Sequence, residues 1–187
     1  MERNWHRLAI LFVLGAMLIL TPLLPACAAK TTQPVTEQPP GALSFEAAEY
    51  TNTEYGFSVN YPNEWQVQSS DQPTTILHAA PAKRAPLINV FVVPGADITE
   101  AFTTAVSSSG SDVQLVSQKQ TTLKDGTPAT EASFKWKGQG VGVNTLALGV
   151  KKKDKWIIVA VTTAPLLSRY DEAFFSEIVY TLRFSKR

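Results

Sequence analysis

The chain has 187 residues, 44% hydrophobic and 18% charged, which fits one folded domain plus targeting apparatus and excludes global disorder. Its formal net charge is +1, and removing Arg3, Arg7 and Glu2 with the first 26 residues brings the balance to zero. That balance argues against a nucleic-acid binder, whose phosphate contacts need a basic surface.

Arg3 and Arg7 form a short positive start, and Leu8 to Leu20 is an apolar run. Thr21-Pro22 ends it, and Leu24-Pro25-Ala26-Cys27 follows, with a small residue before the single cysteine of the chain. These are the parts of a secretory signal. Leu24, Ala26 and Cys27 in this register resemble the leaders of bacterial lipoproteins. The resemblance implies cleavage between Ala26 and Cys27 and acylation of Cys27. Two or more acyl chains anchor stably where one is marginal. Ala28 in place of Asp implies that outer-membrane transfer is permitted in a Gram-negative host. An uncleaved signal anchor and ordinary cleavage stay open, since Leu8–Leu24 is close to the ~17-residue lower limit for spanning a bilayer. A lone cysteine makes no internal disulfide, and lipidation gives it a use.

The expected organisation is a signal peptide over 1–26, the lipidated cysteine and a Pro-rich linker over 27–49, and a domain over 50–187. Pro34, Pro39, Pro40 and Gly41 mark the linker. A coil of about 22 residues spans roughly 25 Å, enough to lift a domain clear of the headgroups. Phe45 is an alternative start of the fold.

Within the domain, Phe57, Val59 and Tyr61 alternate with Ser58 and Asn60, the pattern of a half-buried strand ended by Pro62-Asn63. Short strands are expected at Trp65–Val67 and Thr74–Ala79. Leu87–Val93 is apolar at almost every position, as in a strand covered on both faces. Asp97 with Glu100 three residues on predicts a capping box, and Ile98, Ala101, Phe102, Ala105 and Val106 a helical stripe. Strands follow from Val113 to Leu123, Thr130 to Trp136, Val141 to Val150 and Trp156 to Thr162, with turns at Asp125-Gly126 and Gly138-Gln139-Gly140. A closing helix is expected from about Leu166 to Leu182. The order predicts an α+β fold: an antiparallel sheet with helices packed on both faces, an α/β/α sandwich.

Glu54-Tyr55-Gly56-Phe57-Ser58-Val59-Asn60-Tyr61-Pro62-Asn63-Glu64-Trp65, this element order and the closing Thr181-Leu182-Arg183-Phe184 resemble the PsbP-like superfamily. That superfamily includes the extrinsic P subunit of photosystem II, a cyanobacterial lipoprotein relative, many bacterial lipoproteins and the structurally related Ran-binding import factors. The resemblance implies the fold and, through photosystem II, an accessory or assembly role. It transfers no metal or partner residue to a position here.

Chemistry-bearing patterns are sparse. His78 is the single histidine outside the leader, so no His-His or Cys-His pair offers a zinc site. No G-x-S-x-G elbow accompanies it, and a structural role on a strand is the plainer reading. Gly138-Gln139-Gly140-Val141-Gly142 precedes a strand instead of a helix, so it reads as a turn and not a phosphate loop. Asp171-Glu172 reads as a helix start. Lys151, Lys152, Lys153 and Lys155 on one hairpin tip are the candidate contact patch, for anionic headgroups or an acidic partner, against the reading of a solvated turn. Lys135 and Lys137 border another turn. No catalytic residue, metal or cofactor is expected. The expected function is a membrane-anchored, non-enzymatic binding or scaffold domain on the extracytoplasmic side. It is held to lipid through Cys27 and meets an unknown protein partner. The alternatives are a small-molecule or ion-binding lipoprotein, or a photosystem II accessory factor.

Overall fold

The computed structural model describes residues 42–70, 72–82 and 84–185. The leader, Ala26, Cys27 and the linker as far as residue 41 lie outside the described residues. In chain order the elements are β1 (Ala47–Asn52), β2 (Phe57–Pro62), β3 (Gln66–Val67), β4 (Thr75–Ala80), β5 (Leu87–Pro94) and α1 (Ile98–Val106). Then come β6 (Gly110–Thr122), β7 (Pro128–Gly138), β8 (Val141–Lys152), β9 (Lys155–Thr163), α2 (Glu172–Val179) and β10 (Arg183–Phe184). A seven-stranded sheet has the order β3-β4-β5-β9-β8-β7-β6, and a three-stranded sheet the order β1-β2-β10. All the pairings are antiparallel. Among the described residues no helix is long and apolar enough to cross a membrane.

The two strands that read as apolar on both faces, β5 and β9, are neighbours in the middle of the larger sheet. Successive strand residues point to opposite faces, so β9 divides its side chains between two cores. Ile157, Val159 and Val161 join Val90, Leu146 and Leu148 on one face; Ile158 and Ala160 join Phe91, Val93 and Ala147 on the other. The first core is closed by Phe57, Val59 and Tyr61 of β2 with Phe175, Ile178 and Val179 of α2. The second is closed by α1 through Ile98, Ala101, Phe102, Ala105 and Val106.

The expected α/β/α sandwich is therefore corrected. The protein is mostly antiparallel sheet, with helices of nine and eight residues that form no layers. The strands β1, β2 and β10 supply much of the covering that the sequence reading assigned to helices. Two strands buried on both faces call for two covering surfaces, but a second sheet meets that need as well as a helix does.

Local chemistry sets the element ends. Asp97 Oδ1 accepts the N–H groups of Thr99 and Glu100, both at 2.9 Å, and Glu100 Oε2 accepts that of Ala96 at 2.7 Å. These bonds satisfy donors that a helix start leaves open. Gly149 lets α1 lie close on β8, since a Cβ there would stand 2.8 Å from Ile98 Cδ1. The closing helix is shorter than its apolar spacing predicts. Asp171 accepts the Phe174 N–H at 3.1 Å and starts the helix one residue later, at Glu172. Before it, the N–H groups of Leu167 and Ser168 both bond to Ala164 O in a separate turn. Gln139 and Gly140 make a two-residue turn with φ of 49° and 80°, a type I′ geometry. The two segments that carry the family resemblance pair directly: Arg183 with Ser58 and Phe184 with Phe57. Thr181 fastens the same junction, accepting the Asn60 N–H at 2.8 Å and donating to Ile178 O at 2.7 Å.

Candidate functional site

Helix α1 covers one face of the larger sheet only as far as Val106. Beyond its end the same face opens into a cleft of about 540 Å³, within the range of small-molecule sites. Five strands build the floor. His78 comes from β4, Asn89 from β5, Thr162 from β9, Val143 from β8 and Trp136 from β7. Arg84 and Leu167 on two connections, and Val141 at the start of β8, also line the cleft.

His78 and Asn89 are register partners across β4 and β5. Asn89 Oδ1 lies 2.6 Å from His78 Nδ1. An amide oxygen only accepts, so Nδ1 carries the hydrogen and Nε2 of the neutral ring is left as an acceptor. The histidine is thus oriented by a carboxamide, and among the described residues no carboxylate or serine is paired with it.

Trp136 is fixed from two sides. Its Nε1–H donates to Thr145 Oγ1 at 2.9 Å, and Thr145, fully buried, shares a 2.7 Å hydrogen bond with Thr162. Its ring lies on Gly110, where a Cβ would approach Cζ3 to 2.3 Å. Arg84 has φ 65° and its N–H bonds to Pro81 O at 2.8 Å. Among the described residues its guanidinium enters no hydrogen bond or ion pair. Thr163 Oγ1 donates to Ser168 O at 3.2 Å, holding the loop that presents Leu166 and Leu167, 88% and 65% exposed.

Of the four lysines at the β8–β9 tip, Lys151 stands apart from the other three. Lys151 turns toward α1, donating to Ala96 O at 2.9 Å beside the Trp156 ring. Lys152 lies 4.1 Å over the Phe184 ring and Lys155 5.7 Å from that of Tyr55, on the other side of the hairpin. Lys153 sits in the turn with φ 57°. Lys152, Lys153 and Lys155 share a second cleft with Glu54 and Asp154, so its charge is mixed. Lys137 is paired with Asp112 at 2.9 Å. Among the described residues no three His, Cys, Asp or Glu side chains are grouped to hold a metal ion.

Sequence reasoning noticed His78 but not the cleft. Arg84 sits in a connection, Leu167 falls inside the closing helix expected from about Leu166, and Trp136 reads as an ordinary core alternation. The exposed Leu166-Leu167 pair after Pro165 was the one local signal, and it becomes visible only once the helix is known to start at Glu172.

No family model matches the chain, and no curated protein does. Solved structures do. The solution structure of cyanobacterial PsbP (CyanoP) from Synechocystis sp. PCC 6803 superposes with a TM-score of 0.53 at 14% identity, over 74% of this chain and 92% of that one. A crystal structure from Bacteroides thetaiotaomicron VPI-5482 matches at a TM-score of 0.45 and 14% identity, over 74% of this chain and 48% of that one. The fold is PsbP-like.

Proposed function

We propose that this chain is a lipoprotein anchored through acylated Cys27, carrying a non-enzymatic binding domain of PsbP-like fold on the extracytoplasmic side of a membrane. The observation that carries the anchor is Leu24-Pro25-Ala26-Cys27 closing an apolar run behind Arg3 and Arg7. The binding reading is supported by the cleft beyond the end of α1. The partner is a protein reached from the membrane surface; the neutral charge of the mature chain does not favour nucleic acid.

A second reading, a small-molecule-binding lipoprotein, is favoured by the same cleft. An accessory role at photosystem II is supported by likeness of fold alone, and folds host many functions.

The test is intact mass and membrane fractionation of the native protein beside Cys27→Ser. Diacylglyceryl and acyl mass on a chain beginning at Cys27, lost in the variant, is the expected result. A mature protein that is fully soluble and carries no acyl mass sinks the anchor. Crosslinking in native membranes tests the partner, and recovery of no reproducible protein counts against it.

A further inference from the structure

We infer that the cleft beyond the end of α1 binds a small organic acid with a flat apolar body, its carboxylate held by Arg84 and its body lying against Trp136 between Val141 and Leu167. This goes beyond the proposed anchored domain and its protein partner.

Three features of the cleft point to that chemistry. Arg84 is the one formally charged side chain among the described residues that line it. A guanidinium with no described partner is matched by a carboxylate, which it can hold through two parallel N–H···O bonds. Besides this charge, the lining includes apolar side chains that are unusually open: Leu167 is 65% exposed and Val141 43%. Covering such side chains stabilises a complex by about 25 cal/mol per Å². Third, Trp136 is locked before any ligand arrives by Thr145 and Gly110, so its ring offers a preorganised stacking surface. His78 Nε2 and the side chain of Thr162 add polar contacts on the floor, which suits an acid carrying a further polar group. A purely apolar ligand would cover His78 Nε2 without giving it a partner, which is costly.

The experiment uses the full chain in phosphatidylcholine nanodiscs with 5-fluorotryptophan incorporated, and the probe is 3-phenylpropionate. Trp136→Phe assigns its fluorine line. A ligand of this size is expected to bind at about 1 mM, moving the Trp136 line saturably and leaving those of Trp65 and Trp156 in place. The neutral 3-phenylpropionamide and the variant Arg84→Gln should each weaken binding about tenfold, and Arg84→Lys, which keeps the charge but loses the paired N–H···O geometry, should fall between wild type and Arg84→Gln. Unmoved lines of Trp65 and Trp156 in the variants report an intact fold. A Trp136 line that stays still to 10-fold above that concentration, or that responds equally to acid and amide, overturns the inference. Neither result bears on the mass of the anchor, so the two failures are distinguishable.

Discussion

Trp136 on β7 and Thr145 on β8 are diagonal neighbours on one face of the sheet, and the indole N–H donates to the threonine hydroxyl at 2.9 Å. Thr145 is wholly buried and also bonds to Thr162 on β9. Three adjacent strands are thereby tied beneath the cleft by side chains as well as by their ladders. The polar chain is satisfied, which is the condition under which a buried polar group stabilises a fold.

Thr145→Val keeps the shape of the side chain and removes its oxygen. It leaves the Trp136 N–H and the Thr162 hydroxyl without their partner, at an expected cost of about 1–3 kcal/mol. Urea unfolding should show a lower midpoint at unchanged slope. Thr145→Ser retains the oxygen and should cost distinctly less. Equal losses in the two variants would mean that the methyl group matters and the hydrogen bond does not.

Gly110→Ala tests the other support of Trp136. The new Cβ would meet Cζ3 of the indole at 2.3 Å and Lys137 O at 2.6 Å. The second contact is backbone, so rotation of the indole cannot relieve it. Strands β6 and β7 have to part locally, with a destabilisation of about 1–3 kcal/mol, as for overpacking in general. Near-ultraviolet circular dichroism should register the displaced tryptophan. Gly142→Ala on the neighbouring strand meets nothing within 4 Å and serves as the neutral comparison.

Asp125 joins the β6–β7 turn to the end of the chain. Its carboxylate accepts the N–H of Phe184 and that of Thr127, each at 2.9 Å. Burial raises its pKa, but the hydrogen bonds from Phe184 and Thr127 outweigh burial and hold it below the ordinary aspartate value. A depressed folded-state pKa gives stability that is present above the unfolded value of about 3.9 and is lost as pH falls through the lower one. Wild type should therefore melt higher than Asp125→Asn at pH 6, and the gap should close below pH 4. A gap that stays constant from pH 6 to pH 2.5 would show that the charge is not involved.

Much of the strand pattern was legible in the sequence. Alternation marked β2 and β7, and continuous apolar runs marked β5 and β9. The Asp97–Glu100 spacing identified the start of α1, and all five residues of its predicted stripe are buried. These features are local: the period of the side chains sets which of them share a face.

Which elements share a sheet was not legible in the same way. Alternation says that β2 has an inner face, yet not that it leaves the main sheet to pair with Arg183 and Phe184 some 125 residues later. The α/β/α expectation failed at this point, because a helix and a second sheet bury the same apolar surface and leave the same periodicity behind. The lysine cluster shows the same limit. Neighbours in sequence on a hairpin tip alternate sides, so Lys151 went to Ala96 while Lys152 went to Phe184. The cleft is the converse case. His78, Asn89, Arg84, Trp136 and Leu167 are scattered over the chain, and strand order together with the early end of α1 brings them to one place. The sequence by itself determined the strand faces and the helix cap, since each depends on residues a few positions apart. Tertiary structure alone decided the sheet partners and the cleft, because those depend on which buried faces meet.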